Sequence, residues 1–290
     1  MQLQSLAMND GFSQPQNVHK NDGRGIRLRR EPKELGHHHM IAVVTGATSG
    51  IGRAIAEALL ARGDTVVGVG RSRAALAELS PSPRFVAVEH DLHDIDGFVT
   101  KISTTVGELG GVDLLVNNAG VAEARSIPES TPSFFRETLD VNLAAPAAAI
   151  HALWPHLATS CGRIINVSSL AQLDPFPGFF AYAASKAGLH LLTVVAAAEG
   201  APAGIRAVTI APGVVDTPLH RSMMPDSIPP TDGKLAVFQP IDVARVVCEV
   251  IDGAHDTHNG WVLAMPAPAA VDAIEEWVSS HPGGGVKIVQ

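Results

Sequence analysis

The segment IAVVTGATSGIGRAIAEALLAR, at residues 41–62, indicates how this chain folds. Its first five residues form a nearly continuous apolar run, which is typical of a strand buried on both faces. Gly46, Gly50 and Gly52 follow at once, and residues 53–62 continue with helical periodicity. A strand, a glycine turn and a helix in this order place backbone N–H groups where a pyrophosphate can sit. The spacing Gly-x-x-x-Gly-x-Gly is not the commoner Gly-x-Gly-x-x-Gly, and tight helix–strand packing also needs glycine.

The second predicted strand, residues 65–69, bears on which dinucleotide would bind. It ends at Gly70-Arg71-Ser72-Arg73, about twenty residues after the glycine turn, where an NAD site offers Asp or Glu to the ribose hydroxyls. Arg71 stands in this region and no acidic residue does, and arginine suits the 2′-phosphate of NADP. The sequence therefore favours NADP over NAD, with Arg73 as a weaker candidate. The alternative is that both arginines are ordinary surface charges on the following helix.

Two more predicted strands end in residues that suit a ligand. Asp91-Leu92 follows the strand at residues 85–88, and Asp91 is expected to cap the next helix or to contact an adenine ring, two roles that are compatible. The strand at residues 112–116 closes on Asn117-Asn118-Ala119-Gly120, where small and amide-bearing residues let the chain pass close to a ligand and bridge neighbouring strands by hydrogen bonds. A plain strand-ending turn is the alternative for this second segment.

A long helix is predicted over residues 133–159, and it contains a proline that should bend it. Pro146 lacks an N–H, so the carbonyl of Asn142, four residues earlier, loses its helical partner and the helix should kink. That carbonyl is then free to hold a water molecule. The alternative is a kinked packing helix without a chemical role.

Residues 166–186 carry the candidate chemistry. Tyr182 and Lys186 are four residues apart on a predicted alanine-rich helix, so they share one face. A neighbouring positive charge favours the phenolate and is expected to lower the pKa of Tyr182 from its ordinary value of about 10. Ser169 ends the predicted buried strand at residues 164–167, thirteen residues before Tyr182. The three side chains can converge on one oxygen atom, which suits proton transfer to or from a carbonyl or alcohol.

The rest of the chain adds two more predicted strands and two helices. A sixth strand at residues 204–210 leads into Pro212-Gly213 and Thr217, which is either a ligand contact or a loop or cap residue. Residues 218–238 show no clear period and are predicted to be a functional loop, often a lid. A helix is predicted at residues 242–252, a last strand at 261–264, a short helix at 269–279 and a tail at 281–290. The expected organisation is a disordered leader at residues 1–39, one domain at 40–268 and an extension at 269–290.

Composition limits the classes of function. The formal net charge of −8 and the lack of a sustained basic stripe argue against nucleic acid or an acidic membrane as the main partner, and the arginines at residues 24–30 read as a solvated tail. The two cysteines lack metal or redox spacing and predict reduced thiols in a cytoplasmic protein. We expect neither membrane insertion nor secretion. The histidines at residues 37–39 read as a tag remnant or a chance tract rather than a metal site.

Over about residues 40–265 the chain resembles the short-chain dehydrogenase/reductase family. The motifs that carry the resemblance, each in the expected element, are Thr45-Gly46-x-x-x-Gly50-Ile51-Gly52, Asn117-Asn118-Ala119-Gly120, Asn142, Ser169, Tyr182-x-x-x-Lys186 and Pro212-Gly213 with Thr217. The resemblance implies an α/β, Rossmann-type three-layer fold with a mostly parallel sheet of seven strands. It also implies hydride transfer between a nicotinamide cofactor and a carbonyl or alcohol, in a protein that we expect to be a homo-oligomer.

The same resemblance implies a role for each matched residue. Tyr182 would be the acid/base, Lys186 would lower its pKa and hold the nicotinamide ribose, and Ser169 would bind the reacting oxygen. Asn142 would hold a water that links Lys186 to solvent. The predicted cofactor-binding residues are Gly46, Gly50, Ile51, Gly52, Arg71, Asp91, Leu92, Asn118, Ala119, Gly120, Tyr182, Lys186, Pro212, Gly213 and Thr217.

Two departures and several alternatives accompany this resemblance. The family often ends its last strand near Asp-Gly-Gly, whereas here residues 261–266 lead into an extra segment, and the 39-residue leader lies outside the match. The alternatives to an NADP-dependent reductase or dehydrogenase are a non-catalytic dinucleotide-binding regulator, and an epimerase or dehydratase on the same scaffold. Six residues indicate an apolar or aromatic substrate if they line a pocket, and ordinary packing is an equally good interpretation of them: Phe176, Phe179, Phe180, Leu219, Met223 and Met224.

Overall fold

The computed structural model describes residues 39–223, 237–266, 271, 274–276 and 285–289. The predictions for the leader, for Met224 and most of the loop before residue 238, and for most of residues 269–284 lie outside this part of the chain. The eight strands are β1 Ile41–Thr45, β2 Thr65–Gly70, β3 Phe85–Glu89, β4 Leu114–Asn117, β5 Arg163–Val167, β6 Arg206–Pro212, β7 Val262–Met265 and β8 Val286–Ile288. The helices are α1 Gly50–Ala61, α2 Arg73–Leu79, α3 Ile95–Leu109, α4 Pro132–Leu139, α5 Ala145–Ser160, α6 Phe180–Gly200, α7 Pro218–Met223 and α8 Pro240–Ile251.

All eight strands form one parallel sheet in the order β3-β2-β1-β4-β5-β6-β7-β8. The predicted Rossmann-type α/β fold is confirmed, but the predicted count of seven strands is wrong. β8 pairs with β7 and lies within residues 281–290, for which the sequence predicts a tail. Its three residues are too short a pattern to be recognised before the partner strand is known. The boundaries drawn at residues 39 and 268 remain predictions.

Apolar side chains alternate between the two faces of the sheet and build a core on each. Val44 in β1 packs with α1 and α8 through residues such as Leu59 and Val247. Val43 points to the other face and packs with α3 and α5 through residues such as Phe98. Burial on both faces explains why β1 reads as a continuous apolar run rather than an alternating one. The strand order reverses between β1 and β4, and the carboxyl ends of these strands therefore open a crevice where ligands bind in such sheets.

The predicted kink in the long helix takes the form of a π-helical turn. Asp140–Ala144 is a π-helix between α4 and α5, and within it the N–H of Ala145 donates to the carbonyl of Asp140. Pro146 occupies the first turn of α5, where its missing N–H is tolerated. The turn breaks the predicted continuous helix in two and contains Asn142, whose side chain is fully buried.

Two smaller predictions about helices are wrong. Asp91 does not cap the helix that follows β3, because the N-cap of α3 is Asp94, whose carboxylate accepts from the N–H of Gly97. Residues 218–223, predicted to lack regular structure, form the short helix α7. The hydroxyl of Thr217 accepts from the N–H of His220, so Thr217 caps this helix, and its contact with a ligand remains a prediction.

Candidate active site

A cleft of about 210 Å³ lies at the carboxyl ends of the strands beside the β1/β4 crevice. It brings together twelve of the predicted residues: Gly46, Gly50, Ile51, Arg71, Asp91, Leu92, Asn118, Ala119, Gly120, Tyr182, Lys186 and Thr217. Residues that the sequence did not single out also line it, including Thr48, Ser49, Val69, Gly70, His90, His93, Val121, Val141, Val167, Ser168 and Pro218. Most of these additional residues flank a predicted motif, so their closeness to it in the sequence could have identified them.

The glycine turn and the start of α1 suit a bound pyrophosphate. Ser49 precedes α1 in an extended conformation and its side chain makes no capping hydrogen bond, while the first turn holds no acidic residue. The first N–H groups of a helix have no partner inside it and carry partial positive charge, so this end of α1 favours an anion. Gly46 has a φ of +72°, which a residue with a side chain rarely adopts.

Gly52 serves packing rather than the cleft wall. A Cβ at this position would overlap the carbonyl oxygen of Gly46 and the amide nitrogen of Asn118. The lack of a side chain therefore lets α1 approach the ends of β1 and β4. Pro212 and Gly213, also predicted to contact the cofactor, end β6 beside β7 and are not among the residues that line the cleft.

Hydrogen bonds that Thr45 accepts connect β1 to the segment after β4. The Thr45 hydroxyl accepts from the N–H groups of Asn118 and Ala119 at 3.0 and 3.1 Å. The side-chain amide of Asn118 also donates, to the Thr45 carbonyl, at 2.9 Å. These bonds hold the two sides of the crevice together, so the predicted role of the asparagine segment as a bridge between strands agrees with the geometry.

Tyr182, Lys186 and Ser169 converge as predicted. Tyr182 and Lys186 lie one turn apart near the start of α6, with Lys186 Nζ 5.6 Å from the centre of the Tyr182 ring. The ammonium donates to the carbonyl of Val167 at 2.9 Å. The phenol of Tyr182 is hydrogen-bonded to the side chain of Ser169. Ser169 does not line the cleft, but this hydrogen bond connects it to Tyr182, which does.

The protonation of the pair differs from the sequence argument. Burial raises the pKa of Tyr182 above its ordinary value, and the hydrogen bond from Ser169 opposes this only in part. Burial also lowers the pKa of Lys186 to about 8. Since removal from water disfavours both the phenolate and the ammonium, each group is pushed toward its neutral form. The expectation that Lys186 makes the phenol more acidic is therefore outweighed by desolvation in this structure.

Asn142 acts through its side chain, which the sequence argument did not address. Its Oδ1 accepts from the N–H of Val121 at 2.8 Å, and its Nδ2 donates to the Val121 carbonyl at 2.8 Å and to Ser185 Oγ at 3.0 Å. Asn142 thus joins the segment after β4 to the helix that carries Tyr182 and Lys186. The predicted water on its main-chain carbonyl remains a prediction.

Arg71 stands at the far end of the cleft from Tyr182. It is exposed and lines the cleft beside Asp91 and His93. Burial raises the pKa of Asp91, but hydrogen bonds from His93 and the charge of Arg71 together hold it below its ordinary value. The second candidate, Arg73, forms an ion pair with Glu89 at 2.6 Å. Arg71 is therefore better placed than Arg73 to meet an anion in the cleft.

One aromatic side chain contacts Tyr182, and two more lie close to it in the sequence. Phe179 is buried and meets the Tyr182 ring edge-on, with 6.1 Å between centroids. Phe176 and Phe180 are each nearly half exposed, and Phe180 stacks at a tilt on Phe135. Leu219 lines the cleft. Of the six residues predicted to form an apolar wall, Leu219 lines the cleft and Phe179 contacts Tyr182, whereas the other two phenylalanines are not among the residues that line the cleft.

Comparisons with known proteins agree with this geometry. Residues 40–227 match the family model described as short chain dehydrogenase. A 2-(R)-hydroxypropyl-CoM dehydrogenase of Xanthobacter autotrophicus is 35% identical over 189 residues, which cover 62% of this chain and 76% of that protein. A cis-4-hydroxycyclohexanecarboxylate dehydrogenase of Sinomonas cyclohexanicum is 34% identical over 238 residues, which cover 78% of this chain and 94% of that protein. A 3-ketoacyl-(acyl-carrier-protein) reductase from Brucella melitensis, solved with NADH, superposes with a TM-score of 0.74 at 26% identity, over 81% of this chain and 100% of that one.

Proposed function

This chain belongs to the short-chain dehydrogenase family of oxidoreductases, and from that premise we propose that it transfers a hydride between NADP(H) and a carbonyl or alcohol. The observation that carries the proposal is the Tyr182 phenol, bonded to Ser169 and one turn from Lys186, in the same cleft as the glycine turn. A proton donor is thereby placed beside a site suited to a dinucleotide.

Tyr182 is the general acid and base in this proposal. Because burial raises its pKa, the phenol is protonated at neutral pH and can donate a proton to the oxygen of a carbonyl. Ser169 holds that oxygen together with Tyr182. Lys186 supplies a positive charge near the phenol, and Asn142 keeps the helix that carries both residues against the segment after β4.

The cleft fits a nicotinamide dinucleotide. The uncapped start of α1 and Gly46 and Gly50 would receive the pyrophosphate, Asp91 the adenine, Asn118 the adenosine ribose, and Thr217 the nicotinamide amide. Lys186 would hold the nicotinamide ribose. A bound cofactor would supply or accept the hydride, and the side chains of this chain would orient the substrate and move the proton.

NADP is proposed rather than NAD because of Arg71. Its guanidinium is exposed at the end of the cleft, no acidic residue stands at the end of β2, and a planar guanidinium can bond a phosphate through two N–H groups. Asp91 lies near enough to Arg71 to feel its charge, which would offset part of this attraction.

An apolar or aromatic substrate is proposed from Phe179, which contacts Tyr182, and from Leu219, which lines the cleft. The relative from Sinomonas cyclohexanicum is named for a substrate with a cyclohexane ring, which is consistent with an apolar body. A cytoplasmic location is proposed with it, since Cys161 and Cys248 are both free thiols.

The proposal is tested by NADPH and NADH oxidation with a panel of ketones and aldehydes. Wild-type protein should consume NADPH, and Tyr182→Phe should lower kcat at least about a hundredfold, because the phenyl ring cannot donate a proton. The same variant should keep its melting temperature and NADPH affinity, since the ring contact with Phe179 remains. Full turnover by Tyr182→Phe would refute the proposed chemistry. Cofactor binding without turnover of any carbonyl would instead favour a regulator, and retained cofactor without net consumption an epimerase.

Arg71→Ala, with Arg73→Ala as its matched control, tests the choice of NADP. Arg71→Ala should raise KM for NADPH by about tenfold or more and leave KM for NADH nearly unchanged, because only the 2′-phosphate contact is lost. Arg73→Ala should have a smaller effect, since Arg73 is paired with Glu89. A preference of the wild type for NADH of about tenfold would show that the Arg71 argument is wrong.

A further inference from the structure

Gln172 carries a buried amide that finds no partner in the described part of the chain. Both Oε1 and Nε2 of its side chain are shielded from solvent, and neither makes a hydrogen bond to any described residue. A buried amide without a partner is costly, because it has lost its bonds to water. Nothing in the roles proposed above uses this side chain.

The backbone places Gln172 one turn after Ser169. Leu170–Gln172 is a 3-10 turn capped by Ser169, and the N–H of Gln172 donates to the Ser169 carbonyl at 3.1 Å. Ser169 is in turn bonded to the Tyr182 phenol. The backbone that carries the amide is therefore fixed directly to the serine of the proposed site.

Packing on the sheet holds this turn in place. Leu170 and Leu173 pack on a cluster formed by Ala211, Val262 and Ala264 in β6 and β7. This contact anchors the turn to the sheet, so the backbone of Gln172 is fixed one turn from Ser169.

We propose that Gln172 is a substrate-binding residue that recognises a second oxygen on the substrate, close to the carbonyl that is reduced. This deepens the function proposed above and rests on it. An amide offers two N–H donors and one acceptor without a net charge, which suits a neutral hydroxyl or carbonyl oxygen. The Gln172 side chain has rotatable bonds that let it meet a ligand held by Ser169 and Tyr182.

The inference predicts selectivity between ketones that differ by one hydroxyl. A site built to bond a hydroxyl rejects the analogue that lacks it, since its own polar groups are then left without partners. The substrate class is therefore a ketone with a neighbouring hydroxyl or carbonyl oxygen on an apolar or aromatic body. Phenylacetylcarbinol and phenylacetone form one suitable pair of probes, and acetoin and butanone form a smaller one.

The test is the ratio of kcat/KM for each hydroxyketone to that for its simple ketone, with NADPH. Wild-type protein should favour the hydroxyketone by about tenfold or more, and Gln172→Met should bring the ratio close to one. Gln172→Leu repeats the measurement in case the first variant folds poorly. Gln239→Met is the matched control, since Gln239 precedes α8 and is not part of the turn that Ser169 caps, and it should keep the wild-type ratio.

The outcomes separate the two proposals. If wild-type protein reduces both members of a pair and the apolar variants at residue 172 leave the ratio unchanged, Gln172 does not bind substrate and the reductase proposal stands. If wild-type protein oxidises neither NADPH nor NADH with any ketone or aldehyde, the reductase proposal fails and this inference fails with it. A lower ratio in Gln172→Met at unchanged KM for NADPH supports the inference, because a general structural defect would disturb cofactor binding too.

Discussion

At the scale of single residues, the chemistry depends on a lysine that water barely reaches. Lys186 is 4% exposed, and burial lowers its pKa to about 8. The ammonium is therefore mostly charged at neutral pH and loses its charge as the pH rises through 8. Burial also keeps the proton on Tyr182. A protonated phenol beside a charged lysine suits reduction near neutral pH, and the reverse oxidation requires the phenolate and hence a higher pH.

The lowered pKa of Lys186 should also make the free energy of unfolding depend on pH. Between pH 8 and about pH 10 the unfolded chain keeps the proton on this lysine while the folded chain loses it, so stability rises with pH. The free energy of unfolding of the wild type should rise by about 2 kcal/mol relative to Lys186→Met across this range. Urea unfolding of both proteins at several pH values measures the difference. Parallel curves would contradict the lowered pKa.

At the scale of elements, the site depends on how closely α1 approaches the ends of β1 and β4. The contact is possible because Gly52 has no side chain, and a Cβ there would meet the backbone of Gly46 and the side chain of Asn118. The hydrogen bonds between Thr45 and the segment after β4 are part of the same assembly. Displacing α1 would therefore disturb both the anion site and the bridge between the two strands.

A pair of glycine substitutions tests this packing. Gly52→Ala should lower the free energy of unfolding by about 1 to 3 kcal/mol, since the new methyl group overlaps its neighbours, and should weaken NADPH binding. Gly107→Ala is the matched control in α3, where a Cβ meets nothing within 4 Å. It should raise the free energy of unfolding by about 0.5 to 1 kcal/mol, because alanine favours a helix interior. Urea unfolding and NADPH titration measure both, and equal stabilities for the two variants would contradict the argument.

At the scale of the whole molecule, α6 presents an apolar face beyond the site. Leu191, Val194 and Val195 are 63%, 38% and 53% exposed, and their spacing puts them on one side of the helix. Residues 180–203 are long and apolar enough to cross a membrane by length and composition alone, but the helix carries the buried Lys186 and packs against β5 and β6. We propose that a second copy of the chain covers this face, as expected for a homo-oligomer.

Charge on this face should separate the copies. The double variant Leu191→Glu with Val195→Glu should sediment as a monomer while the wild type sediments as a dimer or larger assembly, because buried carboxylates without partners oppose association. Ile241→Glu, at an exposed residue near the start of α8, is the control and should leave the assembly unchanged. Analytical ultracentrifugation gives the answer, and a monomeric wild type would refute the proposal.

Much of the fold and half of the site follow from local patterns in the chain. Apolar runs, glycine turns and helical periods recur along residues 41–265, and each of these patterns can be recognised from a few neighbouring residues. The same is true of Tyr182 and Lys186, whose spacing alone puts them on one helical face. The strands that carry the cleft, the glycine turn and the tyrosine–lysine pair were therefore open to prediction.

Only the tertiary structure decided what depends on residues far apart in the chain. Arg73 is set apart from Arg71 by Glu89, the proton stays on Tyr182 because distant segments bury it, and β8 is a strand because β7 lies beside it. Nothing in the sequence predicts that the amide of Gln172 finds no partner among the residues that the structure describes. Burial and hydrogen-bond partners depend on contacts between remote segments of the chain, whereas the patterns that predict strands and helices depend on neighbouring residues.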